Sequence, residues 1–221
     1  MTTITSVDGN VQWLDGGSMF GNAPRVVWEK WVEVDPAHRV RLSTRSLLIE
    51  HEEEKILCEV GIGAFFDPKL AKRFGVEEPG HVLLENLKTL GISHEDITCV
   101  ILSHLHFDHA GGLLPTFDDI QKGNDGILFP NATYVIGSDA FERCRNPHFR
   151  DRASYIPGLA EKLEASGRMK LIKGDKIPRY LEDRISFRYT EGHTPGQMHT
   201  VFKGDKRTVV FAGDLIPGAT Y

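Results

Sequence analysis

Residues Ile97 to Leu102 (Ile-Thr-Cys-Val-Ile-Leu) form an apolar, β-branched run. Directly behind it, Ser103-His104-Leu105-His106-Phe107-Asp108-His109-Ala110-Gly111-Gly112 carries three imidazoles and a carboxylate within six positions. Crowding groups that compete for solvation is costly unless they share a partner, and a metal ion satisfies imidazole and carboxylate together. The apolar run reads as a buried strand, so the polar cluster sits at its C-terminal end, where α/β proteins place ligands. His104 and His106 point the same way only if the backbone between them stays extended. Asp108 and His109 then fall on the turn and reach a second point nearby. Gly111 and Gly112 are expected to let the backbone pass close to whatever is bound.

Composition narrows the remaining choices. A chain of 221 residues with 40% hydrophobic content can bury a sizeable core, and it is read as one domain over 1–221. A net charge of −5 supplies no basic field for phosphate backbones, which argues against a nucleic-acid partner. Met1 to Asn10 is polar and lacks the pattern of a secretory signal. No apolar run approaches a membrane span, so a membrane is not expected as a partner. Cys58, Cys99 and Cys144 are odd in number, far apart and without a Cys-x-x-Cys pattern. They read as reduced, buried thiols of a cytoplasmic protein.

Along the chain, Val11 to Leu14 is a short strand candidate, followed by a Gly-rich loop, Asp15 to Gly21, that carries Met19 and Phe20. Bulky apolar groups there could line an acyl pocket or cover the edge of the core, as could Trp28 and Trp31. Ser46–Glu50 and Lys55–Glu59 predict a hairpin, and Gly61-x-Gly63 behind it reads as a turn. Leu83, Leu84, Leu87 and Leu90 share one face of a helix predicted over 81–90, stopped by Gly91. Asp118 to Gly126 reads as a surface loop, and Thr133 to Ile136 as a strand. Ser138 is the expected N-cap of a helix running to Arg145. A further helix is expected over Tyr155–Ser166, interrupted near Pro157-Gly158. Ile185, Phe187 and Tyr189 alternate with polar residues as in a half-buried strand. Thr200–Phe202 and Thr208–Phe211 bracket a Gly204-Asp205 turn. His38, His51, His81, His94, His148 and His199 stand alone and read as surface or internally satisfied residues.

His104-x-His106-x-Asp108-His109, then Gly192-His193-Thr194-Pro195-Gly196, then Gly213-Asp214, resembles the metallo-β-lactamase superfamily of dinuclear metallohydrolases in both motif and order. Within it, Ser-His-Leu-His-Phe-Asp-His-Ala-Gly-Gly looks like the quorum-quenching N-acyl homoserine lactonases. Leu14-Asp15-Gly16-Gly17, Phe129-Pro130-Asn131-Ala132 and Arg145-Asn146-Pro147 look like their YtnP-type branch. The resemblance implies an αβ/βα sandwich, two sheets face to face with helices outside, whose second half is incomplete here.

The resemblance also implies a site. His104, His106 and His193 would hold one metal, with Asp108 and His109 holding a second and Asp214 bridging both. A bound metal lowers the pKa of water from about 15.7 to about 7, on the order of 12 kcal/mol. A general base alone contributes only ~10²- to 10⁴-fold. The expected cofactors are therefore two divalent ions, zinc by the histidine at position 106. Di-iron relatives place a glutamate there, and a carboxylate suits iron better. Asp108 is the expected catalytic carboxylate, and Met19, Phe20 and Phe107 the expected substrate contacts.

The implied function is a lactonase opening N-acyl homoserine lactones or related lactones by attack of hydroxide. The alternatives are ester, thioester or phosphodiester hydrolysis, or an inactive metal-binding fragment. Relatives carry a further histidine beyond the matched Asp214, whereas this sequence ends at Tyr221. Family lactonases also have a tyrosine shortly after that Asp. Here the third residue on is Pro217, and Tyr221 lies further along. Two metals of unequal affinity, with a complementing C-terminal segment or a homo-oligomer, are the corresponding expectations.

Overall fold

The computed structural model describes residues 2–174 and 184–218. Tyr221 lies outside the described residues. Strands β1 (Thr2–Asp15), β2 (Arg39–His51), β3 (Glu54–Cys58), β4 (Cys99–Leu102), β5 (Thr133–Gly137) and β6 (Met169–Ile172) form one sheet in that order. Pairing is antiparallel from β1 to β3 and parallel from β3 to β6. A second sheet holds β7 (Ile185–Thr190), β8 (Gln197–Lys203) and β9 (Thr208–Phe211), all antiparallel.

Alternation along the strands divides the interior into two cores. Leu57, Val100, Leu102, Tyr134 and Ile136 face α4 (Val82–Thr89), α7 (Ser138–Arg145) and α8 (Leu159–Ala165), packing with Leu83, Leu87, Phe141, Leu159 and Leu163. Their neighbours Ile56, Cys58, Cys99, Ile101 and Val135 point the other way and meet Ile185, Phe187, Met198 and Phe202 of the second sheet. The central parallel strands are thus buried on both faces, which explains their continuous apolar runs. Helices, large sheet and small sheet stack as three layers of a mixed α/β sandwich.

Several local expectations change. The strand expected over 11–14 is β1, fourteen residues long, because its partner β2 extends back to Arg39. The loop expected over 118–126 begins with α6 (Phe117–Gln121), whose N-cap Thr116 accepts a hydrogen bond from the backbone N–H of Asp119. Ser138 is not a cap: it is the first helical residue, and its hydroxyl donates to the Ile172 carbonyl on β6. The interruption at Pro157-Gly158 is real, for α8 starts only at Leu159. Leu83 and Leu87 are buried as expected, but Leu90 caps α4 and is exposed. All three cysteines are free and buried.

Candidate metal centre

The histidine motif leaves β4 in an extended backbone. His106 has φ −65° and ψ 155° and precedes the single helical turn α5 (Phe107–Ala110), on which Asp108 and His109 ride. This is the extended-then-turn geometry the spacing demands. Gly111 and Gly112 serve a different purpose from the one expected. A Cβ at Gly111 would lie 2.3 Å from the Ile62 carbonyl oxygen, and one at Gly112 would lie 2.0 Å from that of Val60. These glycines let the turn lie against backbone beyond β3, so they position the site without facing a ligand.

Ligand-type atoms of His104, His106 and His193 lie within 4.8 Å of one another, and so do those of His104, His109 and Asp214. His193 Nε2 is 3.0 Å from His106 Nδ1 and 3.2 Å from Asp214 Oδ2. His109 Nε2 is 3.2 Å from Asp214 Oδ1 and 3.8 Å from Asp108 Oδ1. All six residues named from the sequence therefore converge, four from the large sheet's side and two from the ends of strands in the small one. A Cβ on Gly213, at φ +52°, would meet Ser103 Oγ at 2.8 Å, so only glycine lets Asp214 approach this closely.

His104 and His106 are buried, and the Nε2 atom of each has no hydrogen-bond partner. Leaving such a nitrogen unsatisfied costs about 1–3 kcal/mol. Two orphaned imidazole nitrogens beside a third histidine and a carboxylate form a donor set that fits a divalent cation.

Electrostatics point the same way. Burial pushes His104 well below its ordinary pKa, helped by His109, His106 and His193. Burial likewise pushes His106 down to about 3, with His193 and His109 adding to it. Both stay neutral, the form that binds metal. Burial opposes charge on His109, but Asp214, Asp108 and Glu59 outweigh it and hold its pKa well above the usual value. Burial opposes charge on Asp214 too, and His109 and His193 overcome it to keep the carboxylate ionised. A cation held by His109 would have to displace a proton.

Three supporting residues escaped the sequence reading. Glu59, 2% exposed and at φ +65°, accepts from the Ser103 backbone N–H at 2.5 Å and sits 2.9 Å from His109 Nδ1. It fixes the ring so that Nε2 faces Asp214. Its one sequence signal is an acid ending an apolar strand, Ile56-Leu57-Cys58-Glu59. Gln197 on β8, with its amide oxygen turned to the Asp214 and Leu215 N–H groups at 2.8 and 3.1 Å, holds the Asp214 loop. Gln12 on β1 donates from Nε2 to Asp108 Oδ2 at 2.7 Å. Ser103 Oγ, 2.9 Å from His104 Nδ1, leaves that ring's Nε2 for the centre.

Phe107 is buried against Phe66 and Phe74, with ring centroids 5.3 and 4.5 Å away. It also lines an apolar cavity of about 280 Å³ with Phe65, Phe117, Ile120, Tyr155 and Ile156. Tyr155 connects this cavity to the centre, its ring centroid 4.8 Å from that of His106. Phe20 stacks on Trp28 at 5.0 Å and meets Trp31 edge-on at 6.2 Å. Met19 shares the short helix α1 (Gly16–Phe20) with it.

The metallo-beta-lactamase superfamily model matches residues 39–117. An N-acyl homoserine lactonase of Bacillus cereus is 25% identical over 189 residues, 79% of this chain and 64% of that enzyme. The chain thus spans less than two thirds of that relative's length. A probable metal-dependent hydrolase from Staphylococcus aureus superposes with a TM-score of 0.84 at 26% identity, over 97% of this chain and 73% of that one. The dizinc quorum-quenching lactonase AidC, solved with the product N-hexnoyl-L-homoserine, shares the fold with a TM-score of 0.74 at 22% identity, over 97% and 72%. Motif order, sheet arrangement and these likenesses agree on a metallo-β-lactamase fold, with the family model matched over residues 39–117.

Proposed function

We propose that this chain is a metal-dependent hydrolase that opens N-acyl homoserine lactones or related lactones, a quorum-quenching activity. The observation that carries the reading is the pair of buried, unpartnered Nε2 atoms of His104 and His106 beside an apolar cavity reached past Tyr155. The names of the relatives favour a lactone over other carboxylic esters, thioesters or phosphodiesters.

His104, His106, His193 and Asp214 are assigned to one zinc, and Asp108, His109 and Asp214 to the other. Divalent zinc, when bound, makes hydroxide available near neutral pH and polarises an acyl oxygen. Ser103 and Glu59 keep His104 and His109 oriented for this through their Nδ1 atoms. Asp108 is assigned to orient the attacking water and pass its proton to the ring oxygen as the acyl C–O bond breaks, giving a hydroxy acid. The cavity at Phe107 is assigned to the start of an acyl chain, and Met19 and Phe20 to its far part. An apolar space of about 280 Å³ suits a chain, since pockets for whole drug-sized ligands run to about 300–1,000 Å³. The free, buried thiols accord with a cytoplasmic setting.

Elemental analysis of protein purified without added metal tests this, together with a panel of lactone, thioester and phosphodiester substrates. Zinc retention and lactone opening that His104→Ala and His106→Ala abolish are expected. Metal-free protein, or lactone turnover indifferent to both substitutions, would overturn the proposal.

A further inference from the structure

Strand β1 does not run regularly past the site. Asp8 pairs with Arg45 and Val11 with Ser43, so β1 advances three residues while β2 advances two. One extra residue makes a bulge, and beyond it every side chain lies on the opposite face from the one a regular strand would give. The bulge is built in. A Cβ on Gly9 would lie 2.6 Å from the Thr44 carbonyl oxygen, and Thr44 Oγ1 donates to the Asn10 carbonyl at 2.8 Å. Asn10 is fully buried and donates to the Gly80 carbonyl at 2.7 Å.

The first polar side chain after the bulge is Gln12, only 1% exposed. Its Nε2 donates to Asp108 Oδ2 at 2.7 Å, across 96 positions of sequence, while its Oε1 is buried with no partner. A glutamine selected for stability would have both ends of its amide satisfied. This one has a single bond, and that bond goes to a carboxylate of the candidate metal centre.

We infer that Gln12 is a positioning residue for Asp108: its amide occupies Oδ2, so that Oδ1, the oxygen on the His109 side, is presented to the second metal. The inference rests on the metal-centre reading above. It assigns the bulge in β1 the job of aiming Gln12.

The test is calorimetric titration of the metal-free full chain with zinc chloride, on the parent, Gln12→Met and Gln12→Leu, with Asp108→Ala marking which binding step is the second. Both Gln12 variants keep the volume without the donor. They should weaken the Asp108-dependent step about 10- to 100-fold and move the other by no more than about twofold. Without metal they should melt within a few degrees of the parent, because the lost bond to the Asp108 carboxylate and the removal of the orphaned Oε1 oppose each other. Unchanged zinc affinity at both steps in both variants would overturn the inference while leaving the metal-centre reading intact. A large fall in the metal-free melting temperature of both would overturn it in favour of a structural role. A parent chain that binds no zinc would instead sink the reading beneath it.

Discussion

Replacing Glu59 by glutamine should show how far the centre depends on residues that hold no metal themselves. The side chain is 2% exposed and satisfies two groups, the Ser103 N–H at 2.5 Å and His109 Nδ1 at 2.9 Å. A glutamine fits the same space but offers one acceptor and one donor, so its NH₂ must face either the Ser103 N–H or the His109 ring N–H. One charge-assisted hydrogen bond is lost, worth about 1.5–3 kcal/mol. At about 2–4 °C per kcal/mol for a chain of this length, the metal-free protein should melt roughly 3–12 °C lower. Zinc affinity at His109 should fall about 10- to 100-fold, since the ring is no longer held with Nε2 toward Asp214. Differential scanning calorimetry and zinc titration measure the two effects on one preparation. A Glu59→Gln protein that melts with the parent and binds zinc as tightly would refute the reasoning, because Glu59 would then be a bystander at a strained φ.

Asp108→Ala should lower kcat by about 10²- to 10⁴-fold on lactones with little change in KM, as its carboxylate acts on the attacking water and its proton. A raised KM at unchanged kcat would show that Asp108 grips the substrate instead. Filling the cavity beside Phe107 with Ile120→Trp should penalise long acyl chains selectively. Each methylene excluded costs about 0.8 kcal/mol, roughly fourfold in kcat/KM, so a plot of rate against chain length should bend down where the parent's rises. An equal loss for all chain lengths would move the acyl site elsewhere, and Phe20→Ala then tests the α1 side.

The candidate metal ligands were legible because four of the six stand within six consecutive residues, while His193 and Asp214 were placed by the resemblance of Gly192-His193-Thr194-Pro195-Gly196 and Gly213-Asp214 to the family motifs. Local crowding is a signal that needs no knowledge of the fold. Gln12, Glu59 and Gln197 give no such signal, being ordinary polar residues on or beside strands. Their roles arise only when β1, β3 and β8 are brought to the same strand end, with Gln12 meeting Asp108 across 96 positions. The central strands were readable from their β-branched runs, but β6 was not. It is an edge strand of four residues with Lys170 and Leu171 exposed, so it lacks both length and alternation. Helix α6 was misread because its Asp118 and Asp119 look like loop residues. At a helix N-terminus below a Thr116 cap, those charges favour the helix.

The division of ligands between the sheets has a mechanical consequence. His104, His106, Asp108 and His109 belong to the loop after β4, whereas His193 lies between β7 and β8 and Asp214 just past β9. A metal held by ligands from both sheets would therefore clamp the small sheet onto the large one, adding to the apolar contact of Phe187, Met198 and Phe202 and to the Met198 N–H bond to the Ser103 carbonyl at 2.8 Å. Free zinc at 1,000 times its dissociation constant would stabilise the docked state by about 4.1 kcal/mol, and that term is absent from any state in which the small sheet has swung away. Chelation should leave the core of β3, β4 and β5 as protected as before. Amides of 185–203 should exchange up to roughly 1,000-fold faster if opening of the small sheet governs their exchange. Hydrogen exchange read by mass spectrometry, with and without chelator, separates the two regions. Equal acceleration in β4 and β8 would mean that the metal stabilises the domain as one unit, and no acceleration in β8 would mean that the apolar interface alone holds the sheets together.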